Sequence, residues 1–179
     1  MDMTVLQEIR VGIKVVKDVL DVVYATELYN KCIDMPLQRT SLDTWKDYLT
    51  DSKKAPAILL NDLDTNDQVK ILEVFEEQFG AFNKAYLTVQ RWEKGCYIPW
   101  HNDQKYDFSA TIYLNPEWEA DDGGQFVYTE DDDFYGVNHS YTPQFNSAVM
   151  LEDGHFHCVT PIGSLDKTRV TIQFFAYKG

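Results

Sequence analysis

The sequence predicts an α+β protein, mainly β: a jelly roll, or double-stranded β-helix, buttressed by N-terminal helices. Two observations lead there. Apolar residues recur at helical spacing up to about residue 84 and at alternating spacing beyond it. The later apolar segments are also short, rich in β-branched and aromatic residues, and separated by turn residues with no helical stretch between them. Strands at that spacing, with helices gathered at one end, suit a jelly roll covered on one sheet and exclude long parallel βαβ units. One domain is expected over 1–179, with 1–83 as mainly helical support and 84–179 as the jelly-roll core.

The elements follow in chain order. Asp21–Ile33 (DVVYATELYNKCI) reads as an amphipathic helix, and Ser41 can cap another that carries Trp45 and Leu49 on one face. Thr65-Asn-Asp-Gln68 has capping-box form ahead of Val69–Phe79, where Ile71, Leu72, Val74, Phe75 and Phe79 form an apolar stripe ending at Gly80. From Ala85 onward the strands expected are AYLTVQRW, FSATIYLN, GQFVYTE, SAVMLE, HFHCV and TRVTIQFFAY. The acidic tracts Asp121-Asp122-Gly-Gly and Glu130-Asp131-Asp132-Asp133 fall in turns, and Gly123-Gly124 calls for tight backbone geometry. Neither tract is assigned to metal.

Composition narrows the function classes. Sixteen basic against 29 acidic residues leave a formal charge of −13, which repels phosphate backbones and anionic bilayers. No nucleic-acid partner and no membrane are expected. Three cysteines, Cys32, Cys96 and Cys158, show neither even number nor C-x-x-C spacing, so a cytoplasmic, reducing location is the simplest expectation. Met1–Lys14 carries Asp2, Glu8, Arg10 and Lys14 and no continuous apolar run, so a signal peptide is not expected.

Three of the four histidines, His101, His155 and His157, lie in strand-like segments. His101 and Asp103 are two positions apart, so on an extended chain both side chains leave one face and can reach one ion. A distant third ligand, His157, would complete two imidazoles and a carboxylate on one face of an octahedron, with open positions opposite. That donor set is how non-haem iron(II) oxygenases are built. By itself a His-x-Asp pair is weak, because about 0.4 such pairs are expected by chance in a chain of this composition.

The surrounding residues add what the pair lacks. Trp92-Glu-Lys-Gly95-Cys-Tyr97-Ile-Pro99-Trp-His101-Asn-Asp103, then Ala110-Thr-Ile-Tyr113-Leu-Asn115 with Asp122-Gly123-Gly124-Gln125-Phe126, and finally His157-Cys-Val159-Thr-Pro161-Ile162 with Arg169-Val-Thr171 occur in order. Over about Ala85–Tyr177 the chain thereby resembles the prolyl-4-hydroxylase-like branch of the iron(II)/2-oxoglutarate-dependent oxygenases. The resemblance implies a dioxygenase that hydroxylates an unactivated C–H bond, using Fe(II), O2 and 2-oxoglutarate as cosubstrate, with ascorbate admitted as reductant. It implies His101, Asp103 and His157 as metal ligands. It places Arg169 on the far carboxylate of 2-oxoglutarate, a match of guanidinium fork to carboxylate, with Tyr113 and Thr171 as further cofactor-binding residues. The implied catalytic set is His101, Asp103, His157 and Arg169, and the implied substrate a prolyl residue in a peptide or protein.

Several alternatives stay open. His155 shares strand parity with His157, and Val159 with Pro161 favours His157. Lys167 shares parity with Arg169, and Thr171 favours Arg169. Trp92 stands where many relatives carry a tyrosine that touches the cosubstrate, and an indole donates but cannot accept a hydrogen bond. His139 sits in a polar stretch with Asn138 and Ser140 and is expected to face solvent. Tyr97, Trp100 and Trp118 either line the substrate mouth or simply pack. Cys96 and Cys158 are expected on the far side of their strands as small hydrophobes. Competing functions are hydroxylation of a free amino acid or other small molecule, a cupin-type metal protein without 2-oxoglutarate, and a binding module with a degenerate site.

Overall fold

A computed structural model describes residues 5–10, 12–36, 38–39, 59–129, 136–152 and 155–178. The chain runs β1 (Val5–Arg10), β2 (Ile13–Lys17), α1 (Val22–Ile33), β3 (Gln38–Arg39), β4 (Leu59–Asp62) and α2 (Thr65–Phe79). It continues as β5 (Lys84–Trp92), β6 (Ile98–His101), β7 (Phe108–Tyr113), β8 (Phe126–Thr129), β9 (Asn138–Tyr141), β10 (Ser147–Glu152), β11 (His157–Val159) and β12 (Arg169–Tyr177). The larger sheet has the order β1-β2-β10-β7-β12-β5-β4-β3 and the smaller one β6-β11-β8-β9. Strands next to each other in both sheets are antiparallel. Mostly β, with α1 and α2 against one sheet among the described residues, this is the jelly roll that the periodicity predicts.

The helices begin where short acidic side chains can hold the first free amides. Asp21 accepts from the Val23 and Tyr24 amides at 2.9 and 3.2 Å, and Asp64 accepts from Asp67 at 3.0 Å. The α2 cap is therefore Asp64, one residue ahead of the Thr65 that the sequence pattern favours. Gly80 closes α2 at φ 81°, a left-handed position that favours glycine.

One face of the larger sheet packs on these helices. Ala25, Leu28 and Cys32 of α1 and Ile71 and Phe75 of α2 bury against Val89, Ala110, Ile112, Ile172 and Phe174. Phe75 stacks on Phe174 at a centroid distance of 4.2 Å. Burying each such ring stabilises the fold by roughly 1.5–3 kcal/mol. Alternation sends the other half of each strand to the opposite face, where Tyr113, Val149 and Leu151 meet Phe126 and Tyr128 of the smaller sheet.

The N-terminal part is not helical throughout. Strand β2 lines up on β10 from Lys17 opposite Ser147 to Ile13 opposite Leu151, and β4 lines up on β5. Their lengths of 5 and 4 residues are too short for periodicity to stand out. Strand β9 is hidden for the same reason, and of β6 only the strand-like setting of His101 shows. The helix expected after Ser41 and the tract Glu130–Asp133 lie outside the described residues.

Candidate metal centre

His101 ends β6, His157 opens β11, and the two are directly paired across the smaller sheet. Asp103 follows two positions after His101. Ligand atoms of the three residues lie within 4.8 Å of one another, and all three are buried. The Asp103 carboxylate sits 3.8 Å from His101 Nε2 and 3.7 Å from His157 Nε2, beyond hydrogen-bond reach but suited to sharing an ion.

Backbone contacts decide which ring nitrogen carries the hydrogen. His101 Nδ1 lies 2.8 Å from the Pro99 carbonyl and His157 Nδ1 lies 2.7 Å from the His155 carbonyl. A carbonyl only accepts, so Nδ1 carries the hydrogen in both rings and each Nε2 faces Asp103. Burial, then the neighbouring His157 ring, pushes the His101 pKa down to about 4, which keeps it neutral at physiological pH. Two imidazoles and one carboxylate fit a borderline divalent metal such as iron(II) and leave room on the far side for other ligands.

These ligands share a cavity with Trp92, Thr111, Phe126, Arg169, Gln173 and Phe175. Arg169 is 1% exposed. Its Nη1 donates to the Gly124 carbonyl at 2.7 Å, its guanidinium lies 4.7 Å from the Trp92 ring centre and 5.0 Å from that of Tyr113, and its Nε is buried without a partner. No carboxylate among the described residues pairs with it. Burial pulls its pKa down to about 10, so it still carries its charge at neutral pH. A buried cation lacking a counter-ion is costly, and an anionic ligand would relieve that cost. Tyr113, raised to about 12 mainly by burial, keeps its hydroxyl hydrogen to donate. Thr171 lies opposite Tyr113 and accepts a hydrogen bond from Trp92 Nε1 at 3.0 Å.

The open alternatives now separate. Lys167 donates to Asp122 at 2.7 Å, so its charge is already paired, and Asp122 of the acidic tract serves that ion pair. The His155 side chain lies over Gly12, where a Cβ would meet its Nε2 at 2.6 Å, and it is not part of the ligand cluster. His139 is not in a solvent-facing loop: it lies on β9, half-buried, with its ring stacked on Tyr128 at 5.4 Å. Pairing with β8 places it there, a register that its polar neighbours conceal. Trp118 donates to the Gly123 carbonyl at 3.0 Å and packs with Trp92, Cys96, Val159 and Ile162. Cys96 is fully buried, and burial pushes the Cys158 thiol up to about 11. Sequence reasoning passed over Gln90, Thr111 and Gln173. Thr111 donates to Gln173 at 2.7 Å inside the cavity, and Gln90 Oε1 is buried without a partner. Their strand parity with Tyr113, Arg169 and Trp92 was the available signal.

An antiparallel jelly roll with a His-Asp-His cluster at one end of its cavity defines a non-haem metal-site class. The family model of the 2OG-Fe(II) oxygenase superfamily matches residues 87–177, and the chain belongs to that superfamily. Its members use iron(II), 2-oxoglutarate and dioxygen. Among solved structures, a Pseudomonas putida prolyl-4-hydroxylase is similar at TM-score 0.71 and 16% identity, over 93% of each chain. A Burkholderia pseudomallei oxidoreductase of the 2OG-Fe(II) oxygenase family reaches 0.69 at 16% identity, over 95% of this chain and 87% of its own. The non-haem α-ketoglutarate-dependent epimerase SnoN from nogalamycin biosynthesis reaches 0.67 at 13% identity, over 93% of this chain and 78% of its own. At such identities the likeness establishes the fold. No curated protein sequence matches the chain.

Proposed function

We propose that the protein is an iron(II)- and 2-oxoglutarate-dependent dioxygenase that hydroxylates an unactivated C–H bond, with a prolyl residue in a peptide or protein, at C4, as its substrate. The observation that carries this reading is Arg169: a fully buried guanidinium without a carboxylate partner among the described residues, lining the same cavity as His101, Asp103 and His157. On this reading those three side chains hold the metal. Arg169 takes the far carboxylate of 2-oxoglutarate, Nε supplying a donor that nothing else uses. Tyr113 and Thr171 add hydroxyl donors. When bound, the metal supplies activation of dioxygen, with 2-oxoglutarate oxidised to succinate and CO2 as one oxygen atom enters the substrate. The chain's own work is to orient the cosubstrate and to keep water out, through Trp92, Phe126, Val159 and Leu151 around the cavity.

The likeness to the P. putida prolyl-4-hydroxylase supports the prolyl substrate, and the formal charge of −13 favours a neutral or basic target over an anionic one. The likeness to SnoN favours a second reading, a free amino acid or other small molecule in the same cavity. A cupin-type protein without 2-oxoglutarate leaves the Arg169 charge without purpose. Cys32, Cys96 and Cys158 form no disulfide, which supports a cytoplasmic location, and no helix among the described residues is long and apolar enough to cross a membrane. The test is anaerobic titration of the apoprotein with iron(II) and then 2-oxoglutarate, following the visible charge-transfer band of the chelate. The band should form in the wild type, vanish in His157→Ala, and require far more cosubstrate in Arg169→Ala. Iron binding with no band would sink the proposal. Succinate release across prolyl peptides and free amino acids then separates the two substrate readings.

A further inference from the structure

We propose that Trp92 is a positioning residue for the cosubstrate: its indole N–H occupies the Thr171 oxygen and so turns the Thr171 hydroxyl hydrogen toward the carboxylate held by Arg169. The inference rests on the function proposed above and deepens it. Trp92 lies on β5 directly across from Arg169 and is 1% exposed. Its ring carries the guanidinium at 4.7 Å, and its only polar atom donates to Thr171 Oγ1 at 3.0 Å. An indole cannot accept, and its one donor is already spent, so Trp92 has no hydrogen bond to offer a ligand directly.

What it offers is control of Thr171. A threonine hydroxyl has a single hydrogen and can accept while it donates. With the indole N–H on one side of the oxygen, the hydroxyl hydrogen must point elsewhere. Gln90, directly across from Thr171 on β5, keeps its Oε1 buried and without a partner, so the hydrogen is not consumed there. Thr171 is fully buried, which also removes water as an acceptor. On its other side, across β12, stands Tyr113, whose ring also lies against the guanidinium. The Tyr113 oxygen already takes a hydrogen bond from the guanidinium, so the acceptor assigned to Thr171 is the anion that Arg169 calls for. Two hydroxyls and the guanidinium then converge on one carboxylate, with the indole setting the direction of one hydroxyl and the face of the guanidinium.

The experiment compares anaerobic binding of 2-oxoglutarate with that of 2-oxovalerate, which forms the same chelate but lacks the far carboxylate, to the iron(II)-loaded protein. The variants are Trp92→Phe, Thr171→Val, Thr171→Ser and the Trp92→Phe/Thr171→Val pair. Each of Trp92→Phe and Thr171→Val should weaken 2-oxoglutarate about tenfold, as loss of one hydrogen bond of about 1.4 kcal/mol would. The pair should be hardly weaker than either single change, since both remove the same bond. Thr171→Ser should bind like the wild type, and 2-oxovalerate should be unaffected throughout. Should Trp92→Phe fold poorly, benzothienylalanine at position 92, which keeps the shape and lacks the N–H, gives the same comparison. Losses that multiply in the pair, equal weakening of 2-oxovalerate, or unchanged 2-oxoglutarate binding would each overturn the inference and leave Trp92 as packing. A wild type with no chelate band would instead fail the function itself.

Discussion

The two faces of strand β12 are built for opposite ends. Val170, Ile172, Phe174 and Ala176 are fully buried against the helices, and every one of them is apolar. Arg169, Thr171 and Gln173 alternate with them and carry hydrogen-bonding groups; Arg169 and Gln173 line the cavity, and Arg169 Nε is left unpartnered. Closed apolar packing stabilises one face, whereas the other leaves polar demand unmet. The lesson is that a single strand separates stability from chemistry by parity alone.

The sharpest way to break the comparison is to truncate each face in turn. His157→Ala should abolish the 2-oxoglutarate-dependent absorption while shifting unfolding by no more than about 1 kcal/mol, because it removes a ligand from a cavity. Phe75→Ala should do the reverse, costing about 3–5 kcal/mol in denaturant unfolding and leaving the chelate band of the protein that stays folded unchanged. If Phe75→Ala lost metal with no loss of stability, the two faces would not be independent.

Arg169 gives a smaller effect with a telling sign. Its charge is buried with no counter-ion among the described residues, and burial already pulls its pKa down to about 10. Arg169→Met should therefore make the ligand-free protein more stable, by about 1–4 kcal/mol, as replacement of buried charges by apolar groups commonly does. The same variant should lose the rise in melting temperature that 2-oxoglutarate gives the metal-loaded wild type. A destabilised Arg169→Met would mean that the guanidinium is structural, and the Gly124 hydrogen bond would be the reason.

What could be read from the sequence divides along the same line. The helix stripe Ile71, Leu72, Phe75, Phe79 and the strands around Tyr113 and Arg169 are long enough for periodicity to speak, and they appear where expected. The cluster of His101, Asp103 and His157 was legible because a two-residue spacing fixes one face and ordered flanking residues fix the third partner. By contrast β2, β6 and β9 carry five residues or fewer, and only pairing with a neighbour makes them strands. His139 was misplaced for that reason. The pairing of Lys167 depends on Asp122, distant in sequence. No local pattern announces such a contact.

The smallest effects come from two glycines with positive φ, one serving each face. Gly124 has φ 67°, and a Cβ there would stand 2.6 Å from both Arg169 Nη1 and Ile162 Cδ1. Gly80, at φ 81° beyond α2, would meet nothing within 4 Å. Both replacements by alanine incur the left-handed penalty of roughly 1–2 kcal/mol. Only Gly124→Ala also pushes on the guanidinium, whose Nη1 donates to the Gly124 carbonyl itself. Gly124→Ala should therefore weaken 2-oxoglutarate about tenfold, a loss near 1.4 kcal/mol, on top of its cost in stability. Gly80→Ala should lower stability alone, with cosubstrate affinity unchanged in the anaerobic titration. Were both variants to bind 2-oxoglutarate like the wild type, the close approach at Gly124 would not be what aims Arg169, and the indole and phenol rings on either side would have to hold it unaided.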